Sequence, residues 1–263
     1  MKKLVNRYDK KLIAQLPKIL FTGRIIVVQG KDEAAKAVDY LLKQNIIGID
    51  TETKPVFRKG EGMNPVALLQ VSTYDTCFLF RLNYTGLTDE IVTLLSDTKV
   101  LKVGLSLKDD FMQLRRRRNF TPGCYRELQS MVLEMGIEDQ SLQKIYANVF
   151  GYRISKTQQL SNWEAPVLTE AQKRYAATDA WTCIQLYDEL TRLDETGYML
   201  EVIPEVLPPS PPPLTEEEIE ARKLRKRKKE SEKRRRKRIR EKEQRARNTD
   251  RKNKKEIQEM ESL

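Results

Sequence analysis

Residues 46–52 read IIGIDTE, a short apolar run that ends in two acidic residues separated by one threonine. Such a run predicts a buried strand of a sheet. Side chains two apart on a strand point to the same face, so Asp50 and Glu52 project together from its end. Two carboxylates in this position repel each other and are costly to desolvate unless a cation lies between them. A strand that simply ends in solvent is the alternative interpretation.

Strand and helix patterns alternate on both sides of this stretch. Further strands are predicted at 24–28, 66–72, 76–80 and 100–105, and amphipathic helices at 32–43, 108–117, 125–135, 142–150 and 169–194. Strands with interspersed helices, followed by a helical half, predict an α/β domain with a mixed five-stranded sheet flanked by helices.

A second acidic element follows the predicted strand at 100–105. In LKVGLSLKDDFMQL (residues 101–114), Asp110 shares a helical face with Leu114, whereas Asp109 follows Lys108 and is expected to face solvent. Asp109 stays an alternative to Asp110. The simpler interpretation of either residue is a negative charge that stabilises the start of a helix by interacting with its dipole.

A third element lies in the last predicted helix. In RYAATDAWTCIQLYDEL (residues 174–190), Tyr175 and Asp179 are four residues apart and therefore lie on one helical face. Ala176 and Ala177 between them would let this helix pack closely on a sheet. The alternative is a tyrosine at the rim of the helix that bonds an aspartate.

The chain contains no histidine, which excludes imidazole general bases, histidine-ligated zinc and Ser-His-Asp catalysis. Its three cysteines are scattered, without a CxxC pair, which favours free thiols over a zinc site or a disulfide framework. Carboxylate ligands without histidine or thiolate are typical of Mg²⁺ or Mn²⁺ sites. Two such ions can drive an in-line phosphoryl displacement.

The three elements, IDTE, KVGLSLKDD and YAATD, resemble in this order the exonuclease motifs of the DEDD superfamily. Tyr175 stands where the sister branch has histidine, so the chain resembles the tyrosine branch, with the ribonuclease D and Werner-syndrome-type exonuclease domains. Flanking sequence agrees at VALLQVS, SLQKI and KTQQLSNWEAPVLTEAQKRYAATDAW. The resemblance covers about residues 24–195.

This resemblance implies a ribonuclease-H-like fold and a 3′-to-5′ exonuclease that releases nucleoside monophosphates from DNA or RNA. It implies that Asp50, Glu52 and Asp179 bind one Mg²⁺ or Mn²⁺ ion, that Asp50 bridges to a second, and that Asp110 assists there through water. Tyr175 would orient the attacking water. The rival interpretation is a catalytically silent RNA- or ribosome-binding adaptor that uses the nuclease fold as a scaffold.

Four further residues near these motifs are considered for contact with a substrate, against a solvated or packed position as the simpler explanation. Thr51 and Lys54 beside the DTE strand, and Arg115 in the RRRR run, are candidate substrate contacts. A solvated loop explains Lys54 equally well, and a solvated helix end is the simpler interpretation of the arginine run. Trp163 is expected to pack beneath the last helix rather than to stack on a base.

The charge is concentrated at the C-terminus. Residues 214–263 hold 21 of the 49 lysine and arginine residues and 12 of the 38 acidic residues, so the first 213 residues carry a net charge of only +2 out of +11. Proline-rich residues 204–213 (PEVLPPSPPP) predict an extended linker between a domain at 1–203 and a basic, low-complexity, partly helical tail at 214–263.

The tail is expected to add contacts to nucleic acid or to the ribosome, with a steep salt dependence. The sequence has no run of about 20 apolar residues and no secretory signal pattern at its start, so we expect no membrane span. A cytoplasmic location is expected, or a nuclear one if the source is eukaryotic.

Overall fold

The computed structural model describes residues 1–57, 62–204 and, beyond these, 217, 220, 222–232 and 234. The chain divides into two units, Met1–Pro204 and Glu205–Leu263. In the second unit, residues 222–232 are helical and their side chains are exposed. The predicted linker after Pro204 and the rest of the basic tail lie outside the described residues.

The first unit alternates strands and helices along most of its length. The strands are β1 (Lys2–Val5), β2 (Arg24–Val28), β3 (Ile46–Thr53), β4 (Val66–Ser72), β5 (Thr76–Arg81), β6 (Leu101–Gly104), β7 (Tyr125–Glu127) and β8 (Tyr198–Glu201). The helices are α1 (Lys10–Ile13), α2 (Lys31–Leu41), α3 (Leu82–Thr85), α4 (Asp89–Ser96), α5 (Leu107–Arg115), α6 (Leu128–Glu134), α7 (Leu142–Phe150) and α8 (Glu170–Thr196).

The main sheet has six strands in the order β2-β5-β4-β3-β6-β7. Only β4 runs opposite to the rest, since it is antiparallel to β3 and β5 while the other neighbouring pairs are parallel. The mixed α/β architecture is therefore confirmed. The predicted count of five strands is wrong by one, because β7 extends the sheet beyond β6.

The helix predicted over residues 125–135 is in fact a strand followed by a helix. Tyr125–Glu127 forms β7, which pairs with β6 from Lys102 to Gly104, and α6 begins only at Leu128. Three residues are too few to establish the alternation by which a strand is identified, so the pairing with β6 decides this segment. A second sheet of β1 and β8 joins the two ends of the unit, and the sequence did not predict it.

Helix α8 covers one face of the main sheet. Its N-terminus is closed by a capping box between Thr169 and Gln172, and its small residues Ala176, Ala177 and Ala180 are buried completely. Helices α2, α4 and α5 contribute to the core on the opposite face.

Among the described residues, no helix combines the length and hydrophobicity needed to cross a membrane.

Parallel pairing sets the position of the site. Because β3, β6 and β7 run in the same direction side by side, their C-terminal ends lie at one edge of the sheet. The acidic end of β3 and the turn that leads from β6 into α5 meet at this edge. Ligands commonly bind at the carboxyl ends of strands in open α/β sheets.

Candidate active site

Strand β3 presents Gly48, Asp50 and Glu52 on the sheet face that α8 covers. A β-carbon on Gly48 would lie only 1.9 Å from the carbonyl oxygen of Ala180, so the missing side chain lets α8 approach the strand closely. Asp179, the residue before Ala180, is thereby brought against the acidic end of β3. The close contact of helix and strand is what assembles this part of the site.

Three of the predicted acids form one cluster. Asp50, Glu52 and Asp179 each offer a carboxylate oxygen, and these oxygens lie within 4.8 Å of one another. Asp179 is only 6% exposed, while Asp50 and Glu52 are half-buried. Carboxylates this close repel one another unless protons or cations compensate their charge.

Asp110 lies beside this cluster, and Asp109 does not. The hydroxyl of Thr51 donates to Asp110 Oδ1 at 2.5 Å, whereas Asp109 is exposed. Asp110 Oδ2 is buried and has no hydrogen-bond partner within the part of the chain that the structure describes. A buried carboxylate oxygen without a donor is costly, so this atom is suited to accept from a ligand that enters the site.

Burial raises the pKa of all four carboxyls, and repulsion by neighbouring acids adds to the rise at Asp50, Glu52 and Asp110. Burial, followed by the charge of Asp179, raises the pKa of Asp50 to about 8. Burial and then the charges of its three neighbours raise the pKa of Glu52 to about 10. Burial is also the main cause for Asp110, whose pKa rises to about 8, and for Asp179, at about 7. The four groups therefore cannot all be ionised at neutral pH without a cation.

Tyr175 stands one helical turn before Asp179 on α8. Burial, followed by the charges of Asp179 and Glu52, raises the pKa of the Tyr175 hydroxyl well above its usual value, which keeps it protonated. Its ring packs at 6.0 Å from the ring of Trp163, which is fully buried. The prediction that Trp163 packs beneath the last helix is confirmed, and its ring packs against the ring of Tyr175.

An open cavity of about 350 Å³ lies in front of the acidic cluster. Its lining includes the following polar and charged residues: Asp50, Thr51, Glu52, Gln140, Ser141, Gln143, Ser155, Lys156, Gln159, Tyr175 and Asp179. Lys156 is close enough to Asp179 to oppose the rise in that group's pKa. Sequence reasoning did not select Lys156, although it begins the KTQQLSNW stretch on which the family resemblance partly rests.

The three candidate substrate contacts are differently placed. Thr51 lines the cavity, and its hydroxyl donates its hydrogen to Asp110 within the site. Lys54 forms an ion pair with Glu164 at 3.2 Å, which joins the loop after β3 to the segment before α8. Arg115 donates from Nε to the carbonyl oxygen of Phe120 at 2.9 Å and is not part of the cavity lining.

The donor set fits a hard divalent cation. The described residues of the site supply carboxylate oxygens, which Mg²⁺ and Mn²⁺ prefer, and neither histidine nor an ionised thiol competes for the ion. The raised pKa values of Asp50 and Glu52 show that ionising these groups is unfavourable without a nearby cation, and the unpartnered oxygen of Asp110 offers one more acceptor.

These pKa values predict how stability depends on pH without metal. A carboxyl whose folded pKa is raised stabilises the protein at low pH, and this contribution is lost as pH rises through the folded pKa. With pKa values of about 7 to 10 in the cluster, we expect the melting temperature of the metal-free protein to fall by at least about 5 °C between pH 6 and 9, since 1 kcal/mol shifts Tm by about 2–4 °C in a domain of this size. No histidine titrates in this window.

The measurement is a series of thermal melts in chelator with and without excess Mn²⁺. Mn²⁺ is expected to stabilise the protein more at pH 8.5 than at pH 6, because protons compete with it for the carboxylates. An Asp50→Asn variant serves as the control and should give a flatter profile. A metal-free melting temperature that does not change between pH 6 and 9 would contradict the assigned pKa shifts.

Comparison with known proteins places these features in a family. Residues 25–193 match the family described as 3′-5′ exonuclease. The chain is 32% identical over 151 residues to the exonuclease 3′-5′ domain-containing protein 2 of Drosophila melanogaster, a match that spans 56% of this chain and 25% of that protein. The chain thus corresponds to about a quarter of this curated relative.

Solved structures share the fold. The EXO domain of Aedes aegypti Nibbler superposes with a TM-score of 0.58 at 22% identity, covering 67% of this chain and 91% of that one. The RNase D of Trypanosoma brucei in complex with RNA U12 gives 0.57 at 20% identity, covering 65% and 63%. At these identities the likeness concerns the fold, which is ribonuclease-H-like.

Proposed function

The chain belongs to the 3′-5′ exonuclease family, and on that premise we propose that it hydrolyses phosphodiester bonds at the 3′ end of DNA or RNA and releases nucleoside monophosphates. The observation that carries the proposal is the convergence of Asp50, Glu52 and Asp179, from two distant segments, on one open cavity, with Asp110 held beside them by the Thr51 hydroxyl. Relatives of the family act on nucleic acid, and the T. brucei RNase D neighbour was solved with RNA bound.

Each acid has a role in this proposal. Asp50, Glu52 and Asp179 would hold one Mg²⁺ or Mn²⁺ ion, and Asp50 with Asp110 would hold a second. Two ions, when bound, lower the pKa of the attacking water and stabilise the attacking and leaving oxygens. The carboxylates also exclude other anions from the cavity, so a phosphodiester would bind only where cations have compensated their charge.

Tyr175 orients the attacking water in this proposal. Its raised pKa makes it a poor base at neutral pH, but a protonated hydroxyl beside Asp179 can hold a water molecule by hydrogen bonds. The contact with Trp163 restricts the ring, which favours a fixed position of the hydroxyl.

Tyr175→Phe is therefore expected to reduce kcat by about 10- to 100-fold and not to abolish activity, because the carboxylates that hold the ions remain. The ring stays in place, so the packing on Trp163 should be preserved. Single-turnover kinetics on a 3′-labelled single strand measure the effect. Trp163→Phe is the control for the packing alone. Unchanged turnover in Tyr175→Phe would remove its hydroxyl from the mechanism.

The experiment that tests the proposed function compares DNA and RNA strands of one sequence, each labelled at the 5′ end, with Mg²⁺ or Mn²⁺. Progressive shortening from the 3′ end is expected, and a chelator should stop it. An adaptor that uses the fold only as a scaffold would leave both strands intact and would gain no thermal stability from Mn²⁺. The difference in rate between the two strands would identify the preferred sugar.

A further inference from the structure

The turn between β6 and α5 has an unusual backbone conformation. Ser106 has a φ of 64°. Among the described residues, every other residue with a positive φ is a glycine. This left-handed conformation is energetically unfavourable for an L-residue, so it persists only where surrounding contacts hold it. Ser106 is also the N-cap of α5, but its side chain makes no capping hydrogen bond. Its own side chain therefore does not compensate the cost.

The carboxylate of Glu127 holds this turn from the neighbouring strand. Glu127 is the last residue of β7 and pairs in register with Gly104, the last residue of β6. Its Oε1 accepts the backbone N–H of Ser106 at 2.8 Å and the N–H of Gln129, in the first turn of α6, at 3.4 Å. One carboxylate thus ties together the starts of α5 and α6.

Ser106 also closes the helical turn that carries Asp110. The carbonyl oxygen of Ser106 accepts the N–H of Asp109 at 2.9 Å and that of Asp110 at 3.2 Å, so it closes the first turn of α5. Asp110 lies in that turn and receives the Thr51 hydroxyl at Oδ1. A change at Ser106 would rotate this turn and with it the Asp110 carboxylate.

We propose that Glu127 is a positioning residue for the metal site: by holding Ser106 in the left-handed conformation, it fixes Asp110 in the orientation that a divalent cation requires. The inference rests on the proposed function, because it concerns the ions of that site. Glu127 does not line the cavity, but its charge is close enough to Asp110 to help raise the pKa of that carboxyl, so the charge-neutral variant Glu127→Gln separates this direct effect from positioning. It acts on the site through Ser106 and α5.

The test measures the dissociation constant of Mn²⁺ by calorimetry with the full chain and no nucleic acid. Glu127→Ala is expected to weaken binding by about 10- to 100-fold, the usual effect of losing an outer partner of a metal ligand. Glu127→Gln keeps an oxygen acceptor for Ser106 but removes the charge, so it should stay within about threefold of the wild type. The matched control is Glu134→Ala, an exposed acid on α6.

A second substitution tests the mechanism through the backbone. Glycine adopts the left-handed conformation without penalty, so adding Ser106→Gly to Glu127→Ala should restore most of the Mn²⁺ affinity. Ser106→Val leaves Glu127 intact but disfavours positive φ, and it should weaken Mn²⁺ binding as Glu127→Ala does. Should Glu127→Ala fail to fold, Ser106→Val and Glu127→Gln decide the question.

The outcomes separate this inference from the proposed function. If the wild type binds Mn²⁺ and degrades a 3′ end, but Glu127→Ala and Ser106→Val bind Mn²⁺ as tightly as the wild type, only the positioning role is wrong. A Glu127→Gln variant as weak as Glu127→Ala would also overturn it, since charge alone would then explain the effect. A wild type that binds no Mn²⁺ overturns both.

Discussion

Asp50→Asn is expected to abolish exonuclease activity, with a fall in kcat on the order of 10³-fold or more, equivalent to about 4 kcal/mol of lost transition-state stabilisation. Asp50 is the acid that would contact both ions, and its carboxylate oxygen lies within 4.8 Å of those of Glu52 and Asp179. The amide is nearly isosteric, so the fold should be intact. The assay is single-turnover degradation of a 3′-labelled single strand with Mg²⁺ or Mn²⁺.

The same variant should make the metal-free protein more stable. Replacing the Asp50 carboxyl by an amide removes a group that ionises near pH 8 and relieves the repulsion that raises the pKa of Glu52, so the melting temperature in chelator is expected to rise at pH 8. Asp109→Asn is the matched control, because Asp109 is exposed next to the same site and should leave activity and stability unchanged. Degradation by Asp50→Asn at the wild-type rate would refute the assignment of the acids.

Gly48→Ala is expected to destabilise the protein by about 3 kcal/mol, which lowers Tm by about 6–12 °C. The added β-carbon would lie 1.9 Å from the backbone oxygen of Ala180, and a backbone atom inside a long helix cannot move away alone. Helix α8 must therefore shift from β3. Because Asp179 precedes Ala180, its separation from Asp50 should increase, and Mn²⁺ affinity should fall together with stability.

The measurements are thermal denaturation and Mn²⁺ titration of the folded variant. Gly62→Ala is the control, since a β-carbon at Gly62 meets no atom within 4 Å and its φ is not in the left-handed region. That variant should match the wild type in both experiments. If Gly48→Ala kept the wild-type melting temperature and Mn²⁺ affinity, the close approach of α8 to β3 would not be what assembles the site.

The acids could be predicted from the sequence because local geometry places them. Asp50 and Glu52 share a face through the period of a strand, and Tyr175 and Asp179 share one through the period of a helix. The choice of Asp110 over Asp109 also followed from helical register and agrees with their observed exposure. Local periodicity thus placed these side chains on shared faces, and the resemblance of the three ordered motifs to the exonuclease family selected them as the site.

Features that depend on contacts between distant segments were missed. Strand β7 is three residues long and exists through its pairing with β6, and the small sheet of β1 and β8 joins the two ends of the unit. Lys156 reaches the cavity because a loop packs at its mouth, and the bond from Ser106 to Glu127 links two strand ends. No spacing along the chain encodes these contacts.

Asp50, Glu52, Asp110 and Asp179 are proposed to hold divalent cations together, and anomalous diffraction from a crystal soaked in Mn²⁺ would locate these ions. Strong anomalous peaks are expected within coordination distance of the Asp50, Glu52 and Asp179 carboxylates, and these peaks should be lost in Asp50→Asn. No peak at these carboxylates under saturating Mn²⁺, or equal peaks in the variant, would contradict this proposal.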